Sequence, residues 1–166
     1  MDNVTNNVND SSKCHNILPR NLTPERESNP KPGENTKKIL FVCIENAGRS
    51  QMAEAFANHY ANGKFVASSA GNKPADKVNP AVVEAMKEKG IDISMKKPKL
   101  ITFEMAQDAD LIVTMGCNDQ GICPGPFFKP TVDWKLEDPK GKPIEKVREI
   151  RDEIESRVYQ LIAEQV

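Results

Sequence analysis

"ILFVCIENAGRSQMAEAFANHYANG", residues 39–63, is the passage on which the fold turns. Its first five residues, Ile39 to Cys43, form a short continuous apolar run of the kind buried on both faces of a parallel sheet. A loop too short to do more than close on itself follows. From Arg49 the pattern turns helical, with Met52, Ala55, Phe56 and His59 recurring on one face before Gly63 stops the helix. Cys43 thus stands at the carboxyl end of a strand, where open α/β sheets bind their ligands. The helix start contributes unpaired N–H groups and the positive end of a dipole, so Ile44, Glu45, Asn46, Ala47, Gly48, Arg49 and Ser50 make a candidate cradle for an oxyanion. Asn46 and Gly48 suit positive φ angles, Arg49 offers a bidentate grip, and Ser50 can donate to the sulfur. The same field favours a thiolate on Cys43. Glu45 would repel a bound anion unless its carboxylate points outward.

Working outward, strand and helix continue to alternate. "KFVASS" (64–69) is a second strand, and Asn79-Pro80 supplies an N-cap and a first-turn proline for a helix ending at Gly90. "DLIVTM" (110–115) is a third strand of the same buried character as the first, and "TVDW" (131–134) a fourth. The last helix opens near Pro143 and carries Ile144, Val147, Ile150, Ile154, Val158 and Leu161 at steps of three and four. An open α/β sheet of parallel strands with helices on its faces is the expected architecture. Residues 1–36, rich in Asn, Ser, Pro and charge, show neither period and are expected to be a disordered tail ahead of a folded domain at 37–166. Within that tail Cys14 and His15 are too few ligands for a metal site, and we read Cys14 as an exposed thiol.

Composition excludes several classes. The 23 Lys and Arg balance 24 Asp and Glu in 166 residues, and no basic block tracks a phosphate backbone, so nucleic acid is not an expected partner. No run of 18 apolar residues and no apolar signal region occur, which points to a cytoplasmic protein without membrane contact. Cysteines in that compartment are reduced and serve chemistry more often than stapling.

"VCIENAGRSQMAEAF", with "SSAG", "ADLIVTM", "EDPKGK" and "VREIRDEIESRV" in their order, resembles the low-molecular-weight protein tyrosine phosphatase superfamily, which includes the thioredoxin-coupled arsenate reductases. The resemblance runs from about Lys38 to the end. It implies a four-stranded parallel sheet of order 2-1-3-4. It also implies Cys43 as nucleophile, Asn46 as loop stabiliser, Arg49 as oxyanion clamp, Ser50 as thiolate donor and Asp138 of "EDP" as general acid. Some reductases of this kind bind a monovalent cation near the loop. Asn46, Glu54 and Ser69 match three of its positions, while "KKPKLIT" holds no Asp for the fourth, so no metal is assigned.

Two further cysteines divide the branches. In "VTMGCNDQGICP", Cys117 and Cys123 follow the third strand, which the implied order sets beside the first. Neighbouring strands lie about 5 Å apart, so a Cys43–Cys117 disulfide needs only modest loop movement. A relay from Cys43 to Cys117 to Cys123 would then carry arsenate to arsenite, with an external thioredoxin or glutaredoxin-like reductant and no bound cofactor. Six positions separate Cys117 from Cys123, ~9 Å along a straight helix, so that segment is expected to be loop or to unwind. The phosphatases usually carry a second Cys before the loop Arg, where this chain has Gly48. They also place aromatic rings near the acid. Here Pro139, Lys140 and Gly141 follow Asp138, leaving Trp134 and Phe127 to line a cleft. The reductase is therefore the expected activity. A phosphatase acting through a cysteinyl-phosphate is the alternative, and a module that binds oxyanions or senses redox state without turnover is a third reading.

Overall fold

In the computed structural model, which describes residues 36–116 and 130–165, Lys37–Cys43 forms the first strand, β1. The helix α1 (Arg49–Tyr60), strand β2 (Phe65–Gly71), helices α2 (Pro80–Lys87) and α3 (Phe103–Asp108), strands β3 (Leu111–Thr114) and β4 (Thr131–Asp133) and helix α4 (Ile144–Gln165) follow. The tail up to residue 35, with Cys14, and the segment holding Cys117, Cys123 and Phe127 lie outside the described residues.

The sheet is parallel throughout in the order β2-β1-β3-β4, as the resemblance implied. Its register pairs Cys43 with Gly71, Val42 with Thr114, and Thr114 with Asp133, so the carboxyl ends of all four strands share one edge. Alternate residues of β1 serve opposite layers. Ile39, Phe41 and Cys43 join α1, α2 and α4 in the larger core, while Leu40 and Val42 pack with Ile101, Met105 and Ala106 on the other face. Phe41 and Phe56 are wholly enclosed in the larger core, and truncating either to Ala would cost about 3–5 kcal/mol.

Local signals explain most boundaries. Asn79 caps α2, its side chain accepting from the Ala81 N–H with Pro80 at the first position. Thr102 caps α3 through Met105 N–H. The short α3 was not anticipated: six residues hold too little periodicity, and none of them is fully buried. In α1 the buried stripe is Met52, Ala53, Phe56 and Ala57, and His59 is exposed with its ring edge against Tyr60, so the expected inward face was drawn too far round. Trp134 is a core residue packed on Phe41 at 5.8 Å, because β4 turns it inward. It does not line the cleft. Among the described residues no helix is long and apolar enough to cross a membrane.

Candidate functional site

Cys43 ends β1 with its side chain buried at the floor of a cleft of about 320 Å³. The loop above it is held open by bonds made on its outer side. Carbonyl oxygens of Ile44, Glu45 and Ala47 accept from the N–H groups of Lys73, Ala75 and Asn79 at 2.9, 3.0 and 2.9 Å. Because a trans peptide sets C=O and the next N–H on opposite sides, those bonds turn the N–H groups of Glu45, Asn46 and Gly48 toward the inside of the loop. The Asn46 N–H reaches Cys43 Sγ at 3.2 Å. Gly71 makes this close approach feasible, since a Cβ there would fall 2.5 Å from the Ile44 carbonyl oxygen.

The sulfur has a second donor, and its direction can be deduced. Ser50 Oγ lies 2.8 Å from Cys43 Sγ and also 2.7 Å from Asn46 Nδ2. An amide nitrogen only donates, so Ser50 Oγ accepts from Asn46; toward a Cys43 thiolate, which has no proton to give, the Ser50 hydroxyl can only donate. Asn46 is itself fixed: its Oδ1 accepts from Gln51 Nε2 at 3.1 Å and from the Lys99 N–H at 2.9 Å, and its φ is +51°. Gly48 behaves differently from expectation, with φ at −143°. Glycine is required there by contact, because a Cβ would sit 2.9 Å from Pro139 Cγ.

Arg49 begins α1 and is only 5 % exposed. Its Nη1 donates to the Leu136 carbonyl at 3.0 Å, and Nη2 lies 3.7 Å from Asp138 Oδ2. The guanidinium occupies space left by Gly116, the residue after Met115, whose φ is +78° and whose Cβ, if present, would lie 2.7 Å from Nη1. Asp138 is half exposed at the cleft, its Oδ1 accepting from the Lys140 N–H at 3.0 Å. Glu45 turns its carboxylate to the rim, where Lys140 Nζ meets it at 2.7 Å; that hydrogen bond holds the Lys140 ammonium above the ordinary lysine range.

Of the residues singled out in the sequence, Cys43, Asn46, Arg49, Ser50 and Asp138 therefore meet around one cleft, while Cys117 and Cys123 are outside the described residues. Sequence reading passed over Gln51, Gly71, Lys99 and the Leu136 carbonyl. Only Gly71 carried a signal, as the end of "SSAG" at a strand terminus.

The residues that match a monovalent cation site do not fit one. Asn46 Oδ1 already accepts two hydrogen bonds, Ser69 Oγ donates to Glu54 Oε2, and the other Glu54 oxygen faces Lys96 Nζ at 3.4 Å. Among the described residues no group of three or more His, Cys, Asp or Glu could hold a metal ion.

Comparison with known proteins agrees with this geometry. The family model for low molecular weight phosphotyrosine protein phosphatase matches residues 38–166. An arsenate reductase of Brevibacillus brevis is 42% identical over 126 residues, which is 75% of this chain and 93% of that protein. A solved structure described as an arsenate reductase in the phosphate binding state superimposes with a TM-score of 0.70 at 38% identity, covering 78% of this chain and 98% of that one. The thioredoxin-dependent arsenate reductase of Corynebacterium glutamicum gives a TM-score of 0.64 at 36% identity; the match covers 78% of this chain and 60% of that longer one.

Proposed function

Because the chain belongs to the low molecular weight phosphotyrosine protein phosphatase family, we propose that residues 37–166 form an arsenate reductase that passes oxidation from Cys43 to Cys117 to Cys123 and on to a thioredoxin or glutaredoxin-like protein. The observation that carries this reading is a buried sulfur faced by two hydrogen-bond donors and a nearly enclosed guanidinium, in a cleft with no aromatic ring among its described lining residues. Such a cleft suits a small tetrahedral oxyanion better than a phosphorylated ring.

In this mechanism the Cys43 thiolate attacks arsenic, and hydroxide leaves as water with a proton from Asp138. The inward N–H groups and Arg49 hold the negative charge of the As(V) adduct. The Cys117 thiolate then attacks Cys43 Sγ. The sulfur–arsenic bond breaks, its electron pair stays on arsenic, and arsenite departs as the Cys43–Cys117 disulfide forms. Cys123 attacks Cys117, releasing the Cys43 thiolate, and the Cys117–Cys123 disulfide is reduced by the external dithiol. Two features support the relay. β1 and β3 are hydrogen-bonded neighbours, with Met115 N–H on the Val42 carbonyl at 2.9 Å. Gly116, the residue before Cys117 in sequence, lies against Arg49, where a Cβ would fall 2.7 Å from Nη1.

The purified chain should oxidise NADPH through thioredoxin and its reductase only when arsenate is added. Cys117→Ser and Cys123→Ser should lose that turnover and keep hydrolysis of an aryl phosphate. Undiminished arsenate turnover in both variants would eliminate the relay. A phosphatase reading remains as the second, favoured by Asp138 standing 3.7 Å from Arg49 as a general acid would. It requires fast aryl phosphate hydrolysis that Asp138→Ala slows and the distal cysteines leave unchanged.

A further inference from the structure

Behind the loop, residues 96–101 run as a strap. Lys96 Nζ meets Glu54 at 3.4 Å, the Lys97 carbonyl accepts from Gln51 Nε2 at 3.4 Å, and the Lys99 N–H donates to Asn46 at 2.9 Å. The Lys99 carbonyl and the Ile101 N–H then bond Gly71 at 2.9 and 2.8 Å. Every anchor of the strap is thus on α1, on the loop or at the end of β2 beside Cys43.

Glu54 is the charged member of this foundation. Its side chain is 7% exposed, it takes a hydrogen bond from Ser69 on β2, and it lies one turn into the helix that carries Arg49 and Ser50. A carboxylate so enclosed needs a compensating positive charge, because removing the partner of a buried ion leaves its full desolvation cost in place. Lys96 supplies the charge from the strap, with its own ammonium half exposed so that water reaches the far side. Three residues before Glu54 on the same helix, Gln51 carries a buried Oε1 with no hydrogen-bond partner among the described residues; its Nε2 bonds Asn46 and the Lys97 carbonyl.

We propose that Lys96 is the built-in counter-cation of the loop's foundation and that the site therefore works without a monovalent metal ion. The positive charge belongs to the chain itself, so the loop is assembled in any salt.

The test uses the full chain, with thermal unfolding and calorimetric binding of inorganic phosphate as readouts. KCl, NaCl and choline chloride are compared at one ionic strength, about 0.15 M. Wild type should unfold within about 1 °C of one midpoint in all three salts and bind phosphate equally in each. Lys96→Met should unfold roughly 3–6 °C lower than wild type in choline chloride, with phosphate affinity following. The double variant Glu54→Gln with Lys96→Met, which has no charge to compensate, should be indifferent to the cation. Wild type that gains stability or phosphate affinity from KCl over choline overturns the proposal, as does a Lys96→Met chain as stable as wild type in choline chloride. No arm contains arsenate, so the outcome stands apart from the reductase reading.

Discussion

Asn46 offers the sharpest dissection of the site, because its three substitutions separate three physical effects. Asn46→Ala removes the acceptor of the Lys99 N–H and of Gln51 Nε2 and places a Cβ-bearing residue without a polar side chain at φ +51°. Three lost hydrogen bonds, the two it accepts and the one it donates to Ser50, at about 1 kcal/mol each plus about 1–2 kcal/mol for the left-handed backbone predict a stability loss of about 4–5 kcal/mol. Asn46→Gly keeps the hydrogen-bond loss and removes the strain, so it should cost about 3 kcal/mol. Asn46→Asp is the informative member. Its carboxylate can still accept from Gln51 and Lys99 and tolerates the backbone angle, but it places a charge at a wholly buried position, so stability should also fall, by roughly 3–5 kcal/mol. It cannot donate to Ser50, however, and Ser50 would turn its hydrogen from Cys43 Sγ to the new carboxylate. Losing one hydrogen bond to a charged sulfur, about 1.5–3 kcal/mol, should lower kcat/KM by roughly 10- to 150-fold. Urea unfolding and arsenate-dependent turnover measure the two quantities independently. An Asp variant with wild-type kcat/KM would refute the deduced direction of the Ser50 hydrogen bond.

Gly116→Ala places a Cβ 2.7 Å from Arg49 Nη1 at a backbone angle that glycine favours, so phosphate affinity should fall by roughly 10- to 100-fold, read by calorimetry. Gly48→Ala should push against Pro139 and move the neighbouring Asp138, slowing aryl phosphate hydrolysis more than it weakens phosphate binding; equal effects on both would place the strain in the loop instead. Hydrogen bonds from Arg148, then its charge and that of Arg151, hold the Glu88 carboxyl below its ordinary 4.5. The folded chain thus binds this proton less readily than the unfolded chain. The stabilisation is complete above pH 4.5 and is lost as pH falls through the lower folded value. Wild type should exceed Glu88→Gln in urea midpoint near neutral pH, and the gap should close on acidification below 4.5.

Much of the site was legible before any coordinates, and for a local reason. An apolar run ending in Cys43, a five-residue gap to Arg49 and a helical period from that residue are all short-range patterns, and β1, the loop and α1 follow them closely. Asn79 and Pro80 act locally as well, as cap and first turn of α2. The failures are equally instructive. At Gly48 a preference for positive φ was inferred from residue type, but a contact with Pro139 is what excludes a side chain. His59 follows the helical period and is nonetheless exposed, because the facing elements decide how wide the buried stripe is.

What the chain order alone determined is where the sulfur, the guanidinium and the helix start lie, since a strand, a tight loop and a helix N-terminus are each specified by adjacent residues. Tertiary structure alone decided which way the loop's N–H groups turn, what holds Arg49 and what balances Glu54. Those outcomes rest on partners far away in sequence: Lys99 is 53 positions from Asn46, Leu136 is 87 from Arg49, and Lys96 is 42 from Glu54. Pairings of that range leave no periodic trace in a sequence, because they are made only when packed elements bring distant backbone and side-chain groups within hydrogen-bonding distance.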